Sequence, residues 1–349
     1  MAQSAAKTRI AWGSMAKAET TYLTDPSLAA ASDGLLLAAP PACDHGTYLY
    51  DGHRGMTPAG VPLNRAVRLG LEAKHTVTVE PMGAGAAYSA SVYPDTLAFH
   101  SLLQSAGLVA TGSFVGGSEK WYYAPMVGPS ALVSVTMQNY VEGQMYKLYG
   151  GFSDLTIEAK GPQIPLWTFV TTGTGDEPTD VAIPSITSYP TYSLVAPEVA
   201  NAAVTFGSFT APIVKDFTFK LNRKVDSKRV NLTAAGVHYG FAPMPPTPTI
   251  ELTVEKGALK TASPWTDAAT MNPYQLRNTE TLVYFQLNVG TTQYNRFKIF
   301  SGSTYGSSAQ AQLVAVAETA EGPIGQWKLT FEFKPSTYAL TDLCTIQFD

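Results

Sequence analysis

Hydrophobic and polar residues alternate with a period of two along much of this chain, the pattern of half-buried β-strands. The clearest run lies between Val133 and Phe169. A strand over Val133–Tyr140 meets a turn at Glu142-Gly143, and Tyr146-Lys147-Leu148-Tyr149 follows with Gly151 close behind. Leu155-Thr156-Ile157-Glu158, a Gly161-Pro162 turn and a strand carrying Trp167 and Phe169 complete the run. The same order returns near the C-terminus. There, Val283–Val289 leads through Gly290-Thr291 to Phe297-Lys298-Ile299-Phe300, with Gly302 behind. Gln312–Val316, a Gly322-Pro323 turn and a strand with Trp327, Leu329 and Phe331 follow. Upstream, Val77-Thr78-Val79-Glu80 has a counterpart in Leu252-Thr253-Val254-Glu255. These recurrences in one order predict two versions of one β-rich domain.

The remaining pattern divides the chain into an N-terminal arm (1–15), a first β domain (16–172), an extended Pro-rich linker (173–203) and a second β domain (204–349). One helix is expected over Pro94–Ala106, where Phe99, Leu102, Leu103 and Ala106 make an apolar face and Gly107 ends the run. Its counterpart falls in Ala262–Asn278, where Pro264 and Pro273 predict a short or broken helix. Ala42–Pro62 reads as a long loop and Asn64–Glu80 as two strands. Arg223, Lys224, Lys228 and Arg229 read as a hairpin end turning at Asp226-Ser227. The fold class is therefore mainly β: two fused sandwich or barrel domains, each with one packed helix.

A length of 349 residues suits two domains, since single cores stop growing beyond roughly 250–300 residues. Hydrophobic residues make up 45% and charged residues only 14%, against about 25% charged in an average soluble domain. A monomer of this size needs more surface charge to avoid self-association. A chain whose outer surface is buried against its own copies does not. Extracellular β-proteins are the other charge-poor class. The formal net charge of −4 argues against tight nucleic-acid binding, which draws its affinity from Lys/Arg clusters. It leaves room for a surface that DNA merely passes. No apolar run approaches the ~18 residues of a spanning helix, and Met1–Ala16 has no apolar signal core, so no membrane passage is expected. Cys43 and Cys344 form no CxxC and read as free thiols in a reducing compartment.

No catalytic constellation stands out. HExxH, a phosphate-binding loop and a nucleophile elbow are all missing, and His45, His53, His75, His100 and His238 are scattered. His45, Asp51 and His53 match no closed zinc pattern and read as polar loop residues, while His100 reads as structural. Gly83-Ala84-Gly85 lacks the third glycine and the βαβ context of a dinucleotide loop. Asp176-Glu177 reads as a solvated pair. The chain is therefore expected to be no enzyme, with no cofactor and no metal. The aromatic cluster Trp121-Tyr122-Tyr123 either closes the sandwich or meets a neighbour, the former being the expectation.

Lys17-Ala18-Glu19-Thr20-Thr21-Tyr22-Leu23-Thr24-Asp25-Pro26 resembles the opening of the tail tube (major tail) proteins of long, non-contractile-tailed bacteriophages, where Gly commonly stands at the place of Leu23. Glu177-Pro178-Thr179-Asp180-Val181-Ala182-Ile183-Pro184 is similar to that family's Pro-Thr-Asp segment between halves. The residues that carry the resemblance are Lys17, Glu19, Thr20, Thr21, Tyr22, Asp25, Pro26, Pro178, Thr179 and Asp180. The resemblance implies tail-tube-type domains and a structural virion protein, assembled in the host bacterial cytoplasm. Its rings would stack into a hollow tube through which DNA is ejected. Two tube domains per chain predict rings of three copies with pseudo-sixfold symmetry. The implied partners are further copies of itself, a tape-measure protein, terminator and distal tail proteins, and double-stranded DNA that passes without specific binding. Candidate lumen-wall strands are those carrying Val133, Val135, Tyr146, Lys147, Val283, Phe285, Phe297 and Lys298. The arm Met1–Ser14 and the loop Ala42–Pro62 are candidates for ring stacking. The alternative is a two-domain β-sandwich adhesin or carbohydrate binder with Trp121–Tyr123 as its platform.

Overall fold

The computed structural model describes residues 12–52, 65–125, 132–161, 163–186, 203–207, 209–210, 214–230, 239–256, 272–303, 305–306, 308–336 and 342–349. The fold is mainly β. The first half holds β1 (Trp12–Ala18), β2 (Ala42–Gly52), β3 (Arg65–Val79), α1 (Leu97–Ser105), β4 (Leu108–Ser113), β5 (Lys120–Pro125), β6 (Val135–Val141), β7 (Gln144–Lys160), β8 (Leu166–Gly175) and β9 (Thr179–Asp180). The second holds β10 (Ala203–Phe206), β11 (Phe209–Thr210), β12 (Val214–Lys220), β13 (Val225–Val230), β14 (Tyr239–Pro243), β15 (Thr249–Glu255) and α2 (Pro273–Asn278). It ends with β16 (Leu282–Val289), β17 (Phe297–Ser301), β18 (Ala309–Glu321), β19 (Ile324–Phe333) and β20 (Cys344–Phe348).

In the first half neighbouring strands run β2-β3-β8-β7-β6-β1. In the second they run β12-β15-β19-β18-β16-β10. These are one order written twice, and matched residues stay in register. Val79 pairs with Trp167 as Val254 pairs with Trp327, and Gln138 faces Lys147 as Asn288 faces Lys298. Gly161 and Gly322, at the two Gly-Pro turns, both have φ of 58°, a left-handed conformation in which a side chain is strained.

The halves are joined by strand pairing. Lys160–Thr156 of β7 lie against Asp216–Lys220 of β12, so one sheet of eight strands runs β2-β3-β8-β7-β12-β15-β19-β18 through both. A second sheet, β4-β5-β20-β17-β16-β10, crosses the boundary again where β5 meets β20. The boundary expected between two domains is thus bridged twice. The core lies between the sheets. Trp167 of β8 meets Phe297 and Phe348 at ring distances of 5.2 and 5.8 Å, and Phe331 of β19 meets Phe206 and Phe285 at 5.4 and 5.5 Å. Fully burying each such side chain stabilises by about 1.5–3 kcal/mol.

Helix α1 is driven into this core. Ala98, Phe99, Leu102 and Leu103 are inaccessible, and Phe99 stands edge-on to Trp167, Phe169 and Phe348. Its cap is Thr96, whose hydroxyl accepts from Phe99 N at 3.2 Å, one or two residues later than the Pro94 or Asp95 start expected. Helix α2 buries only Pro273; residues 262–271 of the expected second helix, Pro264 among them, lie outside the described residues.

Several expectations change. Residues 12–15, assigned to a free arm, belong to β1 and pair residue for residue with β6, with Ser14 and Met15 buried; residues 1–11 lie outside the described residues. The expected loop 42–62 begins with the eleven-residue strand β2 paired to β3, and its remainder lies outside the described residues. Cys43 and His45 turn inward while Ala42 and Asp44 turn out, an alternation that the local Gly, His and Pro content obscures. Residues 65–79 form one strand, not two. Of the expected linker, 173–175 extend β8 and 179–180 form β9, while 187–202 lie outside the described residues. Asp226 and Ser227 sit inside β13, paired with β14, not at a turn; residues 231–238 lie outside the described residues. Arg223 is not part of an exposed basic patch: it is 6% exposed and lies against Gly107.

Candidate functional site

Of the residues that carry the resemblance, Glu19 makes a buried polar hub and the others mostly fasten nearby turns. Glu19 follows β1 and is buried. Its Oε2 accepts from Leu23 N (2.9 Å) and Ser134 Oγ (2.6 Å), and its Oε1 from Thr136 Oγ1 (2.6 Å) and Gly150 N (2.7 Å). Four donors answer a buried carboxylate, which would otherwise be costly. Lys17 pairs with Asp33 at 3.4 Å and donates to the Ser27 carbonyl. Asp25 accepts from Ser27 N at 2.9 Å, closing a side-chain-capped turn, and pairs with Lys147. Tyr22 stacks on Phe152 at 6.0 Å, Pro26 is half-buried, and Thr20 and Thr21 are exposed, with the Thr21 carbonyl accepting from Thr24 N. Leu23 has φ of 62°, the left-handed region that glycine occupies without strain, which explains why Gly suits this place in the resembling family.

The second phrase arrives at the same hairpin. Pro178 is exposed, and Thr179 and Asp180 pair with Met145 and Gln144 at the start of β7. Asp176 is not simply solvated: its carboxylate accepts from Tyr149 and its carbonyl lies 2.8 Å from His45 Nδ1. These side chains fasten segments together. None is positioned as an acid, base or nucleophile over a cleft.

The candidate lumen-wall residues do not share one surface. The side chains of Val135, Phe285 and Phe297 have no exposure and face the core. Val133 precedes β6, and Val283 is half-buried in β16. Tyr146 is half-buried and edge-on to His45 at 5.4 Å. Lys147 and Lys298 are matched in use as well as position. Lys147 pairs with Asp25 and lies 4.9 Å over Tyr149; Lys298 pairs with Asp349 at 2.5 Å and lies 4.8 Å over Tyr305.

A continuous polar surface exists elsewhere, on the outer face of the eight-stranded sheet. One cross-strand row reads Thr78, Thr168, Thr156, Lys220, Thr249, Glu332, Gln312. Threonine suits this position, being β-branched, polar and uncharged. Among the described residues the carboxylates Asp44, Glu72, Glu80, Asp154, Glu158, Asp216, Glu251, Glu255 and Glu332 outnumber Lys74, Lys160, Lys220, Lys328 and Lys334 on the same face. Burial together with the Asp44 charge raises the Glu72 carboxyl above its ordinary value, as crowded carboxylates require.

Among the described residues the eight-stranded sheet also has two edges with no further strand. Among the described residues β2 pairs only with β3, and β18 beyond Leu313 pairs only with β19. Val314, Ala315 and Ala317–Glu321 are exposed. Such rows of unpaired backbone groups are templates for a further strand.

The other candidates resolve into packing. His100 Nδ1 is 2.7 Å from the Tyr123 hydroxyl among Tyr93 and Trp121, and burial lowers its pKa to about 4. Trp121 and Tyr123 are buried, so the aromatic cluster closes the sandwich, and only Tyr122 looks outward. His45 pairs with His75; the Asp51 side chain and His53 lie outside what the structure describes. No group of three metal-binding side chains occurs among the described residues. Both cysteines are free thiols; burial raises Cys43 to about 11 and pushes Cys344 higher still. No helix among the described residues is long and apolar enough to cross a membrane. No protein-family model matches this chain, and no curated protein is similar to it in sequence.

Proposed function

We propose that this chain is the structural subunit of a tube, three copies closing into a ring and rings stacking into a hollow phage tail through which DNA leaves. The observation that carries this reading is the seam inside the chain. The second half joins the first by pairing β12, its edge strand, with β7. By the repeated order, β2 matches β12 and β18 matches β7. The two open edges are therefore the two sides of that same seam, separated to opposite ends of the chain. A contact of β18 with β2 of the next copy repeats the internal seam, runs head to tail, and closes when the rotation permits.

Three copies of eight strands give a barrel whose backbone diameter is roughly 45–50 Å, from a strand spacing of about 4.8 Å and a tilt of about 40°. That leaves room for a DNA duplex. The threonine-rich, carboxylate-biased face would then line the lumen. It offers DNA few cations to exchange for counterions, so passage adds little affinity and little drag. The low overall charge fits a protein covered by its own copies.

Electron microscopy and native mass measurement of concentrated protein should show rings of three chains and tubes of stacked rings. Six chains per ring would overturn the stoichiometry, and a monomer at every concentration the reading itself. Register is tested by cross-linking. Phe219, which pairs with Ile157, matches Cys43, and Ile157 matches Glu318. Opposed Cα atoms of antiparallel strands lie about 4.5–5.5 Å apart, within disulfide range. Glu318→Cys should therefore oxidise onto the native Cys43 of the next copy, giving a covalent ladder that stops at three.

A further inference from the structure

The two kinds of seam in such a ring are not alike. Inside the chain, the core side of the seam is carbon: Phe217 and Phe219 lie opposite Ala159 and Ile157, all buried. Carried over strand by strand, the seam between copies sets Cys43 opposite Glu318 and His45 opposite Val316. His45 and Glu318 are then diagonal neighbours on one face, about 7–8 Å apart at their backbones and within reach of long side chains. An ionisable pair stands where the internal seam has aromatic and aliphatic groups.

The proton positions around His45 follow from its partners. The Asp176 carbonyl only accepts, so His45 Nδ1 carries the proton of that 2.8 Å bond. His45 Nε2 is then a lone pair, and His75 Nε2–H donates to it at 2.8 Å. This leaves His75 Nδ1 as a buried lone pair with no partner. The titratable groups around His45 are His75 from β3, Cys43 from its own strand, Tyr146 from β7 and Asp176 after β8, with Asp44 and Glu72 on the outer face. Burial lowers both imidazoles, His75 to about 3, so a single copy keeps the pair neutral.

We propose that the seam between copies is gated by a proton: Glu318 of one copy, held by Lys256 and Tyr274, stabilises a protonated His45 on the next. This rests on the tube reading above. The incoming proton goes to His45 Nε2. The His75 proton moves from Nε2 to the vacant Nδ1, and the bond between the rings persists with its direction reversed. The orphaned nitrogen thereby has a use, and one proton is taken up per seam. The sign follows from linkage. A base that holds its proton more tightly in the closed seam than in the lone copy favours closure below its lone-copy value, and that gain is lost as pH rises through the closed-seam value. Lone His45 lies below the ordinary 6.5, so closure should be strongest in mild acid and weaken toward pH 8. A seam that holds the proton about tenfold more tightly closes about tenfold more readily in mild acid.

The test is sedimentation velocity of the full chain from pH 5.5 to 8 at fixed ionic strength. Wild type should show more closed rings at pH 5.5–6 than at pH 8, and Glu318→Gln and His45→Asn should each flatten that dependence. Glu318 is exposed, so its substitution leaves the fold intact. Rings that form in Glu318→Gln with the wild-type pH dependence overturn the proton gate and leave the tube reading standing. Rings at no pH overturn both.

Discussion

The two halves carry one strand order with different interiors. Where the second half has Ile250 and Phe331 facing each other, the first has His75 and Thr171. Where the second has Phe219, the first has Cys43. Helix α1 buries most of its length, whereas α2 buries one proline. Strand order has survived replacement of the side chains because it is fixed by backbone pairing and by turns that hold their conformation, Gly161 and Gly322 among them. Side-chain identity has instead tracked what each strand meets. β12 meets β7 and is apolar on its core side, at Phe217 and Phe219; the matched side of β2, which meets no second strand among the described residues, carries Cys43 and His45.

The sharpest way to break this comparison is at the matched pair itself. Phe219→Ala should cost about 3–5 kcal/mol in urea unfolding, as loss of a buried aromatic does, while Cys43→Ala at the matched place should cost about 1 kcal/mol or less. Equal costs would mean that the two edges are already equivalent in a lone copy. The next largest effect concerns how the halves touch away from the sheet. A Cβ at Gly83 would fall on the Tyr294 carbonyl oxygen, and Gly83 N donates to Asn295 Oδ1 at 2.7 Å. Gly83→Ala should therefore destabilise by about 3 kcal/mol through backbone displacement. Wild-type stability in that variant would show the contact to be dispensable.

Acid should separate the halves more gently. His75 and His100, both in the first half, are held at about 3 and about 4 against an ordinary 6.5. Bases depressed by folding contribute stability that is complete above 6.5 and lost as pH falls toward those values. Below pH 6, hydrogen exchange corrected for its intrinsic pH dependence should rise in β3 and α1 before β15 and β19. Simultaneous loosening would indicate one cooperative unit. The smallest effect is expected at Leu23. Leu23→Gly relieves a left-handed leucine, gaining up to about 1 kcal/mol, partly offset by lost contact with Gly150. A fall in the thermal midpoint would show that the contact outweighs the strain.

The sequence made the repeat, α1 and the alternation of strands such as Leu166–Gly175 legible, because those signals are local. It did not reveal which strands are neighbours. Thr78, Thr156, Thr168 and Thr249 look unrelated until pairing sets them in one row. Which side of the strands carrying Val135, Phe285 and Phe297 faces the core was hidden for the same reason: alternation says that a strand has two faces, but not which one the second sheet covers. β2 was missed because Gly46 and the nearby prolines resemble loop chemistry, although Cys43 and His45 alternate with Ala42 and Asp44. The role of Glu19 was equally invisible, since its donors lie on residues 23, 134, 136 and 150.

β7 is a single strand of seventeen residues. It starts in the hairpin with β6 and ends in the seam with β12, and Glu19 grips it at Gly150 on the way. Its counterpart in the second half is cut in two, with β17 ending at Ser301 and β18 starting at Ala309. A pull on the first hairpin therefore reaches the eight-stranded sheet along one unbroken strand, bulged at Gly150-Gly151, whereas a pull on the second meets the break between Ser301 and Ala309. Under load the molecule is a stiff strut beside a compliant one, so a tube built from three such chains would alternate the two around its circumference and bend most easily over the second halves.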